Sequence, residues 1–216
     1  MSSPEQKTSH EPPQPIFNVV NHLTYLFAEA SKRARIDQLT GTLNKDAWKY
    51  ELQERLETSD GPVGVILMDM DGFKSVNDTL GHGRGDSLLE QFGNHMRKHF
   101  RRSGDSLTHE KFIQNDKEEG DLGRMGGDEF GLLFDPSGNH QRASTPQESM
   151  DQTLRYTRSV IDEFVATQPK EIQALGFNVS IGAAIREKGE VIDASELLER
   201  ADIAMYADKS SREAVR

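Results

Sequence analysis

The chain has 216 residues, with 26 Lys and Arg against 36 Asp and Glu, for a formal charge of −10. At roughly 100–200 residues per domain, that length suits one domain with tails, and an apolar share of 34% against 29% charged residues means the core comes from a few concentrated segments. No apolar run approaches the roughly 20 residues of a membrane-spanning helix, the absence of cysteine removes disulfides, thiolate metal sites and Cys nucleophiles, and the acidic balance disfavours nucleic acid, whose binding runs on Lys and Arg.

Residues 1–15 are polar and Pro-rich, with no apolar stretch of the secretory kind. They read as a disordered tail, and the chain as a soluble protein of the reducing cytoplasm. Next, Ile16, Val20, Leu23, Phe27, Ala30 and Ala34 recur at steps of four and three. A helix over 16–34 follows, either lying on its own domain or serving as a dimerisation or docking segment; fewer than three heptads do not distinguish the two.

From residue 35 onward the pattern tightens into one domain, 35–216. Asn44 caps a helix running to about Glu57, with Trp48, Leu52 and Leu56 on one face. Gly61-Pro62 breaks it, and 63–68 is an apolar, partly β-branched run that suits a buried strand. A Gly-rich loop (Gly81, Gly83, Gly85) leads into a helix from about Asp86 to Phe100. Residues 103–121 hold few apolar positions and read as an insertion. Arg124 to Phe134, with Gly126-Gly127 in its middle, reads as strand, tight turn, strand. A polar connection over 135–147 leads to a helix over 150–167, a strand over 177–185 and a last helix from Ala194 to about Lys209. The alternation argues for an α/β (α+β) arrangement, a sheet with helices packed outside.

The acidic residues gather where such a sheet would hold a site. Asp69 and Asp71 end the first strand and, two apart, point to one face if the strand continues that far. Asp128 and Glu129 sit at the hairpin tip. If the hairpin pairs beside the first strand, three or four carboxylates share a small volume, and their repulsion calls for a hard cation, Mg²⁺ or Mn²⁺; the competing reading is that each is merely solvated. A calcium loop starting at Asp69 fails, because Phe73, Lys74 and Leu80 stand where a ligand, a Gly and a Glu are required. The string 66–72 also weakly resembles the first motif of haloacid-dehalogenase-like phosphatases, but Phe73 and the preceding sixty or so residues fit that pattern poorly. Asn77 and Asp86 have the amide and carboxylate chemistry to read a guanine edge, although Asp86 is equally explained as a helix N-cap. Lys74 and Lys209 are cations within reach of the same region by sequence.

Gly126-Gly127-Asp128-Glu129-Phe130 is the signature string of GGDEF domains, the diguanylate cyclases. Around it, Asp37-Gln38-Leu39-Thr40-Gly41-Thr42-Leu43-Asn44, then Asp69-Met70-Asp71-Gly72-Phe73-Lys74-Ser75-Val76-Asn77-Asp78, Gly81-His82, Gly85-Asp86, Val179-Ser180-Ile181-Gly182 and Ala201-Asp202-Ile203-Ala204-Met205-Tyr206 resemble further motifs of that family, in its order. The resemblance implies a palm-like nucleotidyl-cyclase fold with a central, mostly antiparallel sheet flanked by helices. It implies condensation of two GTP into cyclic di-GMP and two pyrophosphates, Mg²⁺-dependent (or Mn²⁺-dependent), across a homodimer of domains that forms at least transiently.

By motif position, Asp69, the Met70 carbonyl and Asp128 bind the metal, and Asp128 or Glu129 helps deprotonate the attacking hydroxyl, Asp128 being preferred. Asn77 and Asp86 read guanine, Lys74 and Lys209 lie near the phosphates, and Gly126 and Gly127 let the turn approach the nucleotide. Two departures stand out. The family's terminal Lys and Arg, four apart, become Lys209 and Glu213, with Arg212 one place early. The only RxxD string, Arg102 to Asp105, lies far upstream of the signature, where the family carries its inhibitory site close by. The alternative implied by the altered terminus is a non-catalytic module that binds GTP or cyclic di-GMP and regulates a partner.

Overall fold

In the computed structural model, the described residues are 34–100, 122–137 and 145–214, with 19, 22 and 26 besides. The expected tail (1–15) and insertion (103–121), and the Arg102–Asp105 string, lie outside them. Two units separate, Met1–Arg35 and Ile36–Arg216. In the first, positions 19, 22, 26, 34 and 35 are helical. No helix among the described residues is long and apolar enough to cross a membrane.

Among its described residues the second unit is built on four strands: β1 (Val63–Asp71), β2 (Leu122–Gly126), β3 (Glu129–Phe134) and β4 (Asn178–Arg186). Their order is β2-β3-β1-β4, and every neighbouring pair is antiparallel. Among the described residues six helices accompany them: α1 (Lys45–Thr58), α2 (Phe73–Leu80), α3 (His82–Phe100), α4 (Pro146–Thr167), α5 (Lys170–Ala174) and α6 (Ala194–Glu213). Asn44 caps α1 by accepting from the Ala47 N–H, as its position suggests. Asp193 caps α6 in the same way through Glu196.

Alternation along β1 divides the core in two. Ile66, Met68 and Met70 face one side with Leu88, Leu89, Phe92 and Met96 of α3 and Val160, Ile161 and Phe164 of α4. Val63 and Val65 face the other, with Trp48 and Leu52 of α1 and Leu197 and Ala201 of α6. Each large apolar side chain so buried contributes about 1.5–3 kcal/mol. Trp48, fully buried, lies flat on Gly123 and Gly131, where a Cβ would come within 2.5 Å of its indole. Gly182 is tighter still: a Cβ there would sit 2.1 Å from the Met205 nitrogen and 2.3 Å from the Ala201 oxygen. Helix α6 therefore lies directly on the β4 backbone.

Several elements differ from expectation. Residues 73–80, to which no element was assigned from the sequence, form α2, which follows Gly72 in the left-handed region (φ 75°) with no side-chain cap. Helix α3 begins at His82, so Asp86 sits in its second turn and is not an N-cap. Its glycines do not stop it because Gly85 packs against the Asn77 side chain, where a Cβ would come within 2.0 Å of Oδ1; tertiary contact outweighs helix propensity. Helix α4 begins inside the supposed polar connection, with Thr145 as N-cap and Pro146 in the first turn. The last helix runs on to Glu213, so Lys209 and Arg212 are both helical.

Candidate active site

Strand β1 continues through both aspartates, so Asp69 and Asp71 fall on the Val63–Val65 face, where the apolar cover of α6 gives way to Lys209. Lys209 Nζ lies 2.6 Å from Asp69 Oδ2 and 3.3 Å from Asp71 Oδ1. The hydrogen bond that Lys209 donates to Asp69, outweighing partial burial and joined by the charge of Asp71, pushes the Lys209 ammonium up to about 12. Asp71 Oδ2 accepts from the Ser180 hydroxyl at 2.7 Å, whereas Asp71 Oδ1 is buried with no hydrogen-bond partner. The 3.3 Å approach of Lys209 is thus an ion-pair distance without hydrogen-bond geometry.

The hairpin does pair beside β1. Glu129 stands opposite Asp69, on the same sheet face, and like charges so placed repel. Burial raises the Glu129 carboxyl above its ordinary value, and Asp69 and Asp128 raise it further. Asp128 is raised too, first by burial, with Asp69 adding to it and a backbone hydrogen bond, Lys209 and Arg124 opposing. Its carbonyl accepts from the Met70 N–H at 3.3 Å, tying the turn to β1. Gly126 (φ 140°) and Gly127 (φ 54°) form the turn, conformations that non-Gly residues enter only at a cost.

The tip has a brace that sequence reasoning missed. Arg124 donates through Nε and Nη2 to the Gly127 carbonyl, at 3.0 and 2.7 Å. Its Nη1 lies 3.3 Å from Asp37 Oδ2, and Asp37 Oδ1 accepts from the Thr40 N–H and hydroxyl at 2.9 and 2.8 Å. Burial works against the Asp37 charge, yet the Thr40 hydrogen bonds and the Arg124 guanidinium hold its carboxyl below the ordinary value. The segment 37–44 thereby anchors the signature turn. The Asp and Thr three apart were visible in the sequence, but the Arg124 link spans 87 positions and had no local signal.

Beside these carboxylates opens a cleft of about 340 Å³, lined by Asp69, Glu129, Lys209 and, from α6, Asp202, Ile203, Met205 and Tyr206. Asp202 and Tyr206 were quoted in the sequence without a role. Of the other expected residues, Asn77 sits on α2 against Gly85, which immediately precedes Asp86 on α3. Lys74 is turned to solvent, 86% exposed, and pairs with Asp78 at 2.6 Å. Arg212 does not reach the cleft: it donates to Asn178 Oδ1 at 2.7 Å and the Val179 carbonyl at 3.1 Å. Together with Arg158, which pairs with Asp208 at 2.6 Å, it seats α6 on the start of β4.

No three of the cleft carboxylates bring their oxygens within 4.8 Å of one another. That does not exclude the expected cation, because Mg²⁺ needs only one or two carboxylates, with water and phosphate oxygens completing its shell. The residues fit such an ion on two counts. The donors are all oxygens, and Asp71 Oδ1 is a buried carboxylate oxygen lacking a hydrogen bond beside a Lys that already supplies counter-charge. At the same edge, the first N–H groups of α2, behind the uncapped Gly72, are a ready phosphate cradle.

A family model described as "Diguanylate cyclase, GGDEF domain" matches residues 34–109 and 107–214. The diguanylate cyclase DgcS of Shewanella oneidensis is 29% identical over 201 residues, a match covering 92% of this chain and 55% of that relative, so the chain spans about half its length. Among solved structures, the coiled coil and GGDEF domain of DgcB from Caulobacter crescentus, in complex with c-di-GMP, superposes with a TM-score of 0.67 at 22% identity, covering 91% of this chain and 92% of that one. A microbial GGDEF domain in a novel interaction mode with cyclic di-GMP gives 0.57 at 27% identity, over 82% and 94%.

Proposed function

This chain belongs to the GGDEF, diguanylate cyclase, family, and from that premise we propose that it is itself a cyclase, condensing two GTP into cyclic di-GMP and two pyrophosphates. The observation that supports this best is the placement of Asp69, Glu129 and Lys209 on one cleft, joined by Asp71 and Ser180 on the same sheet face. Two domains meet face to face as a homodimer, each presenting one GTP. The 3′-oxygen of one GTP bonds to the α-phosphorus of the other, the bond to the β-phosphate oxygen breaks, and pyrophosphate leaves. Repeating the step in the opposite direction closes the ring.

Asp69, the Met70 carbonyl and Asp128 would hold Mg²⁺ or Mn²⁺, which when bound supplies Lewis-acid stabilisation of phosphoryl charge. The proton of the attacking hydroxyl goes to Asp128 or Glu129. Both are raised by burial and by Asp69, which brings a carboxylate toward the basicity a general base needs. Glu129 lines the cleft and is the better placed of the two, leaving Asp128 to the metal. Lys209 moves from Asp69 to the phosphates, Asn77 and Asp86 pair with guanine, and Gly126 and Gly127 admit the nucleotide close to the turn. Lys74, engaged with Asp78, takes at most a peripheral part.

Residues 35–216 form the catalytic domain, and the stretch 103–121, where the two family-model matches meet, is an insertion; residues 16–34 are its segment for dimerisation or docking. GTP as substrate places the reaction in the cytoplasm. A second reading, a non-catalytic module that binds GTP or cyclic di-GMP, is favoured by the commitment of Arg212 to Asn178 and Val179. The test is to incubate the purified chain with GTP and Mg²⁺ and resolve the products by chromatography. Cyclic di-GMP that vanishes with EDTA supports the cyclase. Unchanged GTP from folded protein at high concentration, with GTP binding intact, supports the module.

A further inference from the structure

On the opposite sheet face from the cleft, α3 and α4 bring two imidazoles and a carboxylate together. His95 and His99 are four apart on α3, their ring centroids 4.7 Å apart. With Glu163 of α4 they form a group in which one ring nitrogen of each histidine and a carboxylate oxygen all lie within 4.8 Å of one another. Among the described residues no other trio of such ligands converges so closely. Both rings are half-buried and oriented by α4. His95 Nε2 is 3.0 Å from the Val160 carbonyl and its ring packs 5.4 Å from that of Phe164; His99 Nδ1 is 3.4 Å from the Tyr156 hydroxyl. Anchoring one ring nitrogen on a carbonyl or hydroxyl fixes the lone pair of the other, as outer partners do for metal-bound imidazoles.

We infer that His95, His99 and Glu163 bind one transition-metal ion of the Zn²⁺ class, with water completing the shell. Imidazole and carboxylate suit Zn²⁺, Ni²⁺ or Cu²⁺, and two histidines at i and i+4 on one helix are a standard way to supply them. Tetrahedral Zn²⁺ with bonds of about 2.0–2.1 Å places its ligand atoms roughly 3.4 Å apart. The group need therefore close by at most about 1.4 Å, and exposed Glu163 on α4 has the freedom to do so. A bound ion clips the C-terminal part of α3 to α4, and because it binds only the folded chain it raises the unfolding temperature. The cleft plays no part in this, so the inference stands apart from the cyclase reading.

The experiment is calorimetric titration of the full chain with Zn²⁺, backed by the visible absorption of Co²⁺ in its place. One equivalent should bind, and it should persist in Asp69→Asn/Asp128→Asn, which removes the two carboxylates proposed to hold Mg²⁺. Affinity should fall at least tenfold in His99→Ala and in Glu163→Gln, and the Co²⁺ bands and the metal-induced rise in unfolding temperature should fade with it. Glu163→Gln alters an exposed side chain and decides alone if His99→Ala fails to fold. Zn²⁺ binding that survives Glu163→Gln undiminished, or that disappears with the cleft aspartates, overturns the site.

Discussion

Substituting Gly182 by Ala adds a single methyl where β4 meets α6, and the consequence can be worked from the backbone alone. The new Cβ would lie 2.1 Å from the Met205 nitrogen and 2.3 Å from the Ala201 oxygen, whereas ordinary contact begins at 3.4 Å. Both neighbours are backbone atoms, so no rotamer change relieves the overlap, and the helix must retreat by 3.4 − 2.1, about 1.3 Å. Lys209 is one turn beyond Met205 on that helix. A shift of this size would stretch its 2.6 Å contact with Asp69 to nearly 4 Å. Overpacking of this kind costs about 1–3 kcal/mol. Urea denaturation measures the stability, and initial rates at varied GTP measure the cleft. Lower stability together with a raised KM is expected; wild-type stability and wild-type KM would refute the direct seating of α6 on the strand. Gly83→Ala is the internal control, since a Cβ there meets nothing within 4 Å and helix propensity predicts about 0.5–1 kcal/mol of stabilisation.

Asp69→Asn and Asp128→Asn should each abolish cyclic di-GMP formation, measured by chromatography, and substantial turnover in both would contradict the metal assignment. The raised carboxyls of Asp128 and Glu129 bind protons more tightly folded than unfolded. Without divalent metal, the stability they withhold at neutral pH should return as pH falls through their raised values toward the ordinary carboxylate range; melting curves taken from neutral pH down into that range should show this slope, flattened in Asp128→Asn. Asp37 has the opposite sign: its lowered carboxyl stabilises above the ordinary Asp value, and that contribution disappears as pH drops through the lowered one. Asp37→Ala, which strips Arg124 of its carboxylate, should cost about 1–3 kcal/mol and loosen the signature turn, read as lower unfolding temperature and reduced rate. Glu213→Arg places a cation four positions beyond Lys209 and should lower KM for GTP while leaving the melting temperature within a few degrees.

What the sequence disclosed was the part governed by short-range rules. The apolar run before Asp69 and the period of two sufficed to put Asp69 and Asp71 on one face, and the Gly-Gly string sufficed for the turn. The Thr145-Pro146 helix start and the Lys74–Asp78 pairing at i, i+4 were equally legible and went unread. Helix α2 and the first turn of α3 were hidden for a physical reason. The first has no side-chain cap, and the second opens on two glycines whose helical state depends on Gly85 packing against Asn77. Arg212 carried no sequence signal of its destination, because Asn178 lies 34 positions away and is reached only when α6 crosses β4.

The alternation that ends β1, Met68-Asp69-Met70-Asp71, also acts as a registration mark during folding. Sliding the strand by one position against β3 would drive Asp69 and Asp71 among Phe92, Phe130 and Phe164 and turn Met68 and Met70 outward. Burying two unpaired carboxylates is expensive enough to make such an arrangement untenable. The acidic pair therefore proofreads strand pairing before any nucleotide arrives. Replacing both by apolar residues would relieve the electrostatic repulsion of the cleft and, by the same act, license the slipped sheet.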